Sequence, residues 1–392
     1  MRRVCLLFLM ACTAVAAAPT GITKTDVFTA GTGGYTLYRI PGLVVTAKGT
    51  LLAYAEARKS DRGDWGTINI ALRRSTDGGK TWSAPAFPAQ VDGPKQKNPV
   101  AVAQKLATTD EVTYNNPVAI PDRSGVVHFV FCLEYARAFY MRSEDDGVTF
   151  SKPVEITAAF EGFRPQYDWK VLATGPGHGI QLRGGRLVIP IWLSTGTGGH
   201  AHRPSVAGTI YSDDRGKTWK AGAIALPNTG EFIIPNETAA VELADGRVLL
   251  NARSESLTNR RILTYSKDGA TNWTPMRFAE ELWEPICMGS MARLGNRILF
   301  SNPYNLDRSA GPAEPGKNRD RRNLSVTISE DNGKTWPKRK SIEPGWSGYS
   351  DLAVARDGTI YLLYERGGLG DNHFRTAALT LATFGLEWLS QP

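Results

Sequence analysis

Three side chains of different chemistry stand at matching offsets ahead of three short turns. Arg39 lies nine residues before Lys48 of a Lys-Gly turn, Glu237 eight before Asp245 of an Asp-Gly turn, and Tyr349 eight before Asp357 of another. The return segments offer a matching set: Glu56 with Arg58, then Arg253 and Glu365, each of the last two eight residues past its turn aspartate. An arginine inside a sheet is costly unless paired, so any one of these alone reads equally well as a structural ion pair. Together, three cations, three carboxylates and a phenol at one end of a set of hairpins exceed what a core needs. They suit a ligand that carries its own carboxylate, because a planar guanidinium grips a carboxylate through two parallel hydrogen bonds. A phenol, with a pKa near ~10, becomes a nucleophile only beside a base. Strict pairing about Asp245-Gly246 is expected to put Glu237 and Arg253 at the same end but on opposite faces, with at least one just outside the ladder.

The elements that must position these groups repeat. Six stretches read as hairpins of two apolar strands about a short turn: LVVTAKGTLLAYAE, VAIPDRSGVVHFVF, GIQLRGGRLVIPIW, AVELADGRVLLNAR, MARLGNRILFSN and LAVARDGTIYLLYE. Each of the first five is followed by one Ser-x-Asp turn, at Ser75, Ser143, Ser212, Ser266 and Ser329. The turn runs Ser-x-Asp-x-Gly-x-Thr-aromatic, and in the fourth copy Ala270 stands where the glycine is expected. Asp accepts backbone N–H bonds, Gly takes a positive φ and the aromatic packs beneath, so the motif reads as structural. Two strands, a link and two more strands joined by the Asp turn make a four-stranded unit, and radial repetition of such units makes a β-propeller. The expected fold is all-β: a six-bladed propeller of four-stranded antiparallel blades. The last blade has no Asp turn of its own; Asn372–Leu381 is expected as its third strand and Lys24–Thr29 as its outer strand, closing the ring.

Residues 19–392 read as one domain, with no linker or low-complexity tract inside it. Residues 1–18 read as an export signal: Arg2 and Arg3, an apolar run, then small residues, with cleavage after Ala16 or Ala18. Leu9-Met10-Ala11-Cys12 offers a second reading, a lipoprotein box that would tether Cys12 to a membrane, but Met10 fits it poorly. The apolar run is too short to span a bilayer. The formal charge is +8, or +6 without Arg2 and Arg3, and no basic run is dense enough for nucleic acid. A modest positive balance suits an anionic substrate, and equally a solubility setting. Past the leader only Cys132 and Cys287 remain, both in apolar surroundings, and no framework disulfide is assigned. His200-Ala201-His202, the one close histidine pair, lies in a Gly/Ser/Thr-rich stretch and is expected to be an exposed loop; no metal site or cofactor is expected.

Over essentially all of 22–390 the chain resembles the bacterial exo-α-sialidases (neuraminidases). The resemblance rests on Tyr38-Arg39-Ile40-Pro41, the five Asp boxes, Asn236-Glu237 with LNAR at 250–253, FSNP at 300–303, Arg321-x-Asn323-Leu324 and Tyr349-Ser350-Asp351-Leu352. It implies a substrate carboxylate held by Arg39, Arg253 and Arg321, with Arg319 and Arg322 as neighbours of the third. It implies Tyr349 as nucleophile, Glu237 as its activating base, Asp64 as acid/base with Asp61 as a rival, Glu365 as the partner of Arg39, and Arg58 as a further arginine of the first return strand.

Most glycosidases use two carboxylates, and sialidases with a tyrosine nucleophile are an exception. The reason is charge: an anionic nucleophile would meet the carboxylate on the anomeric carbon, whereas a neutral phenol does not. The leading expectation is a retaining exo-sialidase, monomeric, acting on sialylated glycans, glycoproteins or glycolipids. A hydrolase of another 2-keto sugar acid (Kdn or Kdo), a trans-sialidase, and a non-catalytic glycan-binding propeller are the alternatives.

Overall fold

The computed structural model describes residues 18–306, 319–372 and 374–391; the leader up to Ala17, with Cys12, lies outside them. The chain is almost entirely β. All six expected hairpins form, and the strands assemble into five hydrogen-bonded sheets. The first, of three strands, runs Leu37–Val45, Leu51–Arg58, Ile68–Ser75. The second and third have five strands each, and the fourth has four, Thr238–Glu242 to Arg277–Trp283. The fifth has seven, from Thr23–Thr29 at one edge to Ser290–Leu294 at the other.

Six separate four-stranded sheets are therefore not what the hydrogen bonds make. Lys338–Val354 is one continuous strand of 17 residues. Its first half pairs with Arg322–Ser329 and its second half with Ile360–Arg366, which fuses two units into one sheet. In the three-stranded sheet the fourth strand is reduced to one bridge, Leu72 to Ala86. The third hairpin is interrupted: Val171–Thr174 and Ile180–Gln181 both pair with Leu187–Ser194, and Gly177–His178 between them crosses to pair in parallel with Tyr114–Pro121.

The inner strands touch in sequence and close on themselves: Leu37–Val45 meets Tyr114–Pro121, Ile180–Gln181 meets Thr238–Glu242, that strand meets Ser290–Leu294, and Lys338–Val354 returns to Leu37–Val45. Apolar clusters fill the gaps between successive units; one joins Leu52, Tyr54 and Ile70 to Phe129 and Met141. The N-terminal strand completes the ring as expected, Thr23–Thr29 pairing with Ala378–Phe384. That third strand starts six residues later than the expected Asn372. The result is an all-β, propeller-like fold.

The Asp turns have the expected anatomy. Ser143 Oγ donates to Asp145 Oδ1 and accepts the Gly147 N–H, both at 2.8 Å, while Asp145 accepts Thr149 N–H and Oγ–H at 2.9 and 2.6 Å. The fourth copy keeps its turn by a shift rather than by a substitution. Gly269, not Ala270, takes the positive φ of 71°, and Thr271 closes the turn one residue early.

Thr149 and Thr218 hold Asp145 and Asp214 down to about 2. Asp268 reaches about 2 because the Thr271 and Ala270 N–H groups outweigh its burial. Folded values below the unfolded ~3.9 contribute stability that is present above about pH 4 and lost as pH falls through about 2. The urea midpoint should therefore stay level from pH 6 to 5 and drop below 4, with a shallower drop in Asp145→Asn. Equal acid slopes in the two proteins would contradict this.

Candidate active site

The pocket opens where the inner strands begin. Its lining includes Arg39, Asp64, Glu237, Arg253, Arg321 and Tyr349, and also Arg319 and Phe374.

Arg39 is aimed by a bulge. The ladder between Leu37–Val45 and Leu51–Arg58 shifts register between Arg39 and Gly42, and Ile40 adopts a φ of 58°. Glu365 fixes this geometry with both oxygens. Oε1 accepts from Arg39 Nε at 3.0 Å and Ile40 N at 3.1 Å; Oε2 accepts from Arg39 Nη2 and from Tyr349 N, each at 3.1 Å. One carboxylate thus sets the arginine and the tyrosine backbone together. Gly348 is required for this approach, since a Cβ there would stand 2.2 Å from Glu365 Oε2. Burial works against the ionised form, but Arg39 holds the Glu365 carboxyl below its usual range.

Glu237 and Arg253 lie just beyond the ends of their strands, and here the sequence expectation needs correcting. Thr238 pairs with Ala252, so the next step outward sets Glu237 directly opposite Arg253, on the same face. Arg253 N donates to the Glu237 carbonyl at 2.9 Å. Directly opposed residues of an antiparallel pair share a face. The side chains meet accordingly: the Arg253 guanidinium bonds Glu237 Oε2 and donates to Tyr349 Oη at 2.6 Å. Tyr349 Oη in turn donates to Glu237 Oε1 at 2.5 Å. Burial raises the Tyr349 phenol, Glu237 adds to that, and the three arginines pull it back; the net shift is upward, so the phenol is neutral at rest.

Arg321 is buried, donates to the Ile286 carbonyl at 2.5 Å and places its guanidinium 5.2 Å from the Tyr349 ring centre. Arg39 lies 5.3 Å from the same ring. Of the neighbours of Arg321, Arg319 also lines the pocket, while Arg322 is paired with Asp320 at 2.8 Å.

Asp64 stands at the mouth with its side chain 37% exposed, 2.9 Å from Arg58 Nη2. Arg58 also holds the buried Glu56 at 2.6 Å. Burial resists ionisation of Asp64, but the Arg58 and Arg39 guanidiniums outweigh it and hold the carboxyl well below the usual range. The rival Asp61 does not line the pocket and is paired with Arg375 at 3.1 Å.

Several pocket residues were not legible beforehand. His200 and His202 both line the cavity: His200 is exposed, as the loop was expected to be, whereas Ala201 is buried and His202 half-buried, which corrects that part of the expectation. His202 packs among Tyr135 at 4.9 Å, Trp192 at 5.0 Å and Trp65 at 5.5 Å, and burial pushes it down to about 3, so it is neutral. Arg203 is paired with the buried Glu255 at 2.7 Å. All of these come from loops, whose sequences carry no periodic signal. Cys132 and Cys287 are both buried and free, and burial raises each thiol to about 12.

This fold and pocket place the chain among the Asp-box repeat proteins: the family model for the BNR repeat-like domain matches residues 95–362, and that for the BNR/Asp-box repeat matches residues 73–84. The sialidase of Micromonospora viridifaciens is 30% identical over 94% of this chain, which spans 54% of that protein. Sialidase-2 of Rattus norvegicus is 30% identical over 84% of this chain and 89% of its own length. The solved structure of a Hadza microbial sialidase superposes with a TM-score of 0.71 at 26% identity, covering 93% of this chain and 69% of that one. The chain belongs to the sialidase family.

Proposed function

We propose that this protein is a retaining exo-α-sialidase that removes terminal α-linked sialic acids from glycans, glycoproteins or glycolipids. The observation that carries the reading is the Tyr349 hydroxyl seated between Glu237 Oε1 at 2.5 Å and Arg253 Nη1 at 2.6 Å. A buried phenol with a raised pKa cannot supply phenolate by itself, and the adjacent carboxylate is the base it needs.

Arg39, Arg253 and Arg321 clamp the substrate carboxylate. Tyr349 Oη attacks the anomeric carbon and its proton passes to Glu237, while Asp64 protonates the departing glycosidic oxygen. In the second step Asp64 takes a proton from water, the water oxygen bonds the anomeric carbon, and Glu237 returns its proton to Tyr349. Two inversions give net retention, and one water is consumed per sialoside. Hydrolysis, rather than transfer or cleavage of Kdn or Kdo glycosides, is tested by following sialyllactose by NMR. Free sialic acid should appear first as the α-anomer, faster than any product from Kdn or Kdo glycosides. First-formed β product, or sialyl transfer without free sugar, would contradict it.

The same reading takes the seven-stranded sheet as two blades sharing Lys338–Val354, which makes six blades in the ring; the different partners of the two halves of that strand support it. It also takes the protein to be exported by its N-terminal signal and to act as a monomer.

Asp64 must be protonated in the first step, yet Arg58 keeps it ionised in the free site. kcat/KM, which reports the free enzyme, should therefore fall as pH rises. In Arg58→Met/Glu56→Gln, which removes both charges of the buried pair, the Asp64 pKa rises and this limb should move to higher pH. A limb that stays put would separate it from Asp64.

A further inference from the structure

The loop that carries Asp64 is held from behind by a charge pair that has no place in the chemistry above. Lys97 and Glu134 are buried, with side chains 2% and 1% exposed, and Nζ lies 2.9 Å from Oε2. An ammonium has three donors. Besides Glu134, Lys97 Nζ reaches the Trp65 carbonyl at 3.1 Å and the Thr113 hydroxyl at 3.2 Å. Thr113 Oγ1 passes the contact on, donating to the Gly66 carbonyl at 2.7 Å, while its N–H bonds Glu134 Oε1 at 2.6 Å. The two carbonyls that directly follow Asp64 are therefore both anchored to one buried pair.

The pair grips Trp65 from a second side. Glu134 and Tyr135 are consecutive residues with φ of 58° and 50°, in the left-handed region that non-glycine residues rarely adopt. That turn lays the Tyr135 ring 4.6 Å from Trp65, against the pocket wall. Asp64 itself is partly exposed and is paired with Arg58. A buried ion pair is a poor stabiliser compared with packed apolar groups, so its presence here asks for another reason.

We propose that Lys97, with Glu134 as counter-ion, is a positioning residue that sets Asp64 at the distance and angle needed to protonate the leaving group. The inference rests on Asp64 being the proton donor. A donor misplaced by an ångström costs rate where proton transfer is advanced in the transition state, and little where the leaving group departs unaided. Lys97 should thus matter in proportion to the basicity of the leaving group, which a purely structural role would not produce.

The test is a series of aryl α-sialosides of graded phenol pKa, together with sialyllactose, on the intact protein and on Lys97→Met, Lys97→Met/Glu134→Gln and Asp64→Ala. The double variant removes both buried charges and guards against misfolding of the single one. Lys97→Met and the double variant should lose about tenfold or more on sialyllactose and less than about threefold on the most acidic phenol, an attenuated copy of Asp64→Ala. Parallel losses across the series, or none, while Asp64→Ala is leaving-group dependent, would overturn the role of Lys97 and leave Asp64 standing. An Asp64→Ala variant without leaving-group dependence would overturn the reading of Asp64 itself, and the inference with it.

Discussion

Arg253→Ala should leave a folded protein whose kcat/KM on an α-sialoside is lower by roughly a hundred- to a thousandfold, the scale of truncating one partner of a buried hydrogen-bonded charge pair. Arg253 is engaged twice within the free site, with Glu237 and with the Tyr349 hydroxyl, and the substrate carboxylate is its third partner in the proposed mechanism. Its removal leaves Glu237 without its cation, but Glu237 borders the pocket with a side chain 11% exposed, so water can reach it and folding should survive. Arg253→Lys should recover little, because a point ammonium cannot bridge two oxygens in a fixed plane. The check is steady-state kinetics beside a thermal melt. Unchanged kcat/KM in Arg253→Ala would remove the residue from the site.

Tyr349→Phe should lower kcat on the order of 10³-fold or more while leaving substrate binding nearly intact. The ring stays between the Arg39 and Arg321 guanidiniums, at 5.3 and 5.2 Å, so the clamp keeps its shape. Only the oxygen that attacks is lost, and with it the hydrogen bonds to Glu237 and Arg253. Binding of a sialic-acid analogue by calorimetry should change less than about tenfold. A variant that keeps most of its kcat would assign the phenol to binding alone.

Much of this arrangement could be read from residue spacing because hairpins impose it. Arg39, Glu237 and Tyr349 sit nine, eight and eight residues before their turns, and the pairings of Thr238 with Ala252 and of Ser350 with Tyr364 bring Arg253 and Glu365 to the same ends. The face of Arg253 was misjudged because the hairpin is centred on Asp245, with Glu242 opposite Val248 and Leu243 bonded to Arg247, which shifts every pair by one residue from a turn centred on Asp245-Gly246 and sets Glu237 opposite Arg253. The six hairpins were legible, but the fusion of two units through Lys338–Val354 was not, since a strand that continues from one unit into the next leaves no turn signal. The loop residues were the least legible. Lys97 looks like one of two solvent-facing lysines in GPKQKNPV, and His202 like part of a polar loop. Both are defined by what folds over them: Glu134 and Trp65 in one case, Tyr135 and Trp192 in the other.

In the proposed mechanism Tyr349 forms the covalent bond to the anomeric carbon. A sialic-acid analogue with fluorine beside that carbon slows both displacements by destabilising the oxocarbenium-like transition state, and a good leaving group lets the intermediate accumulate. The protein is trapped, digested and read by mass spectrometry. One sugar per protein is expected, on Tyr349 in the peptide containing GWSGYSDL. Glu237 is the rival nucleophile, disfavoured because a second anion facing the substrate carboxylate is repelled while a base behind a phenol is not. A label on Glu237 would contradict the mechanism.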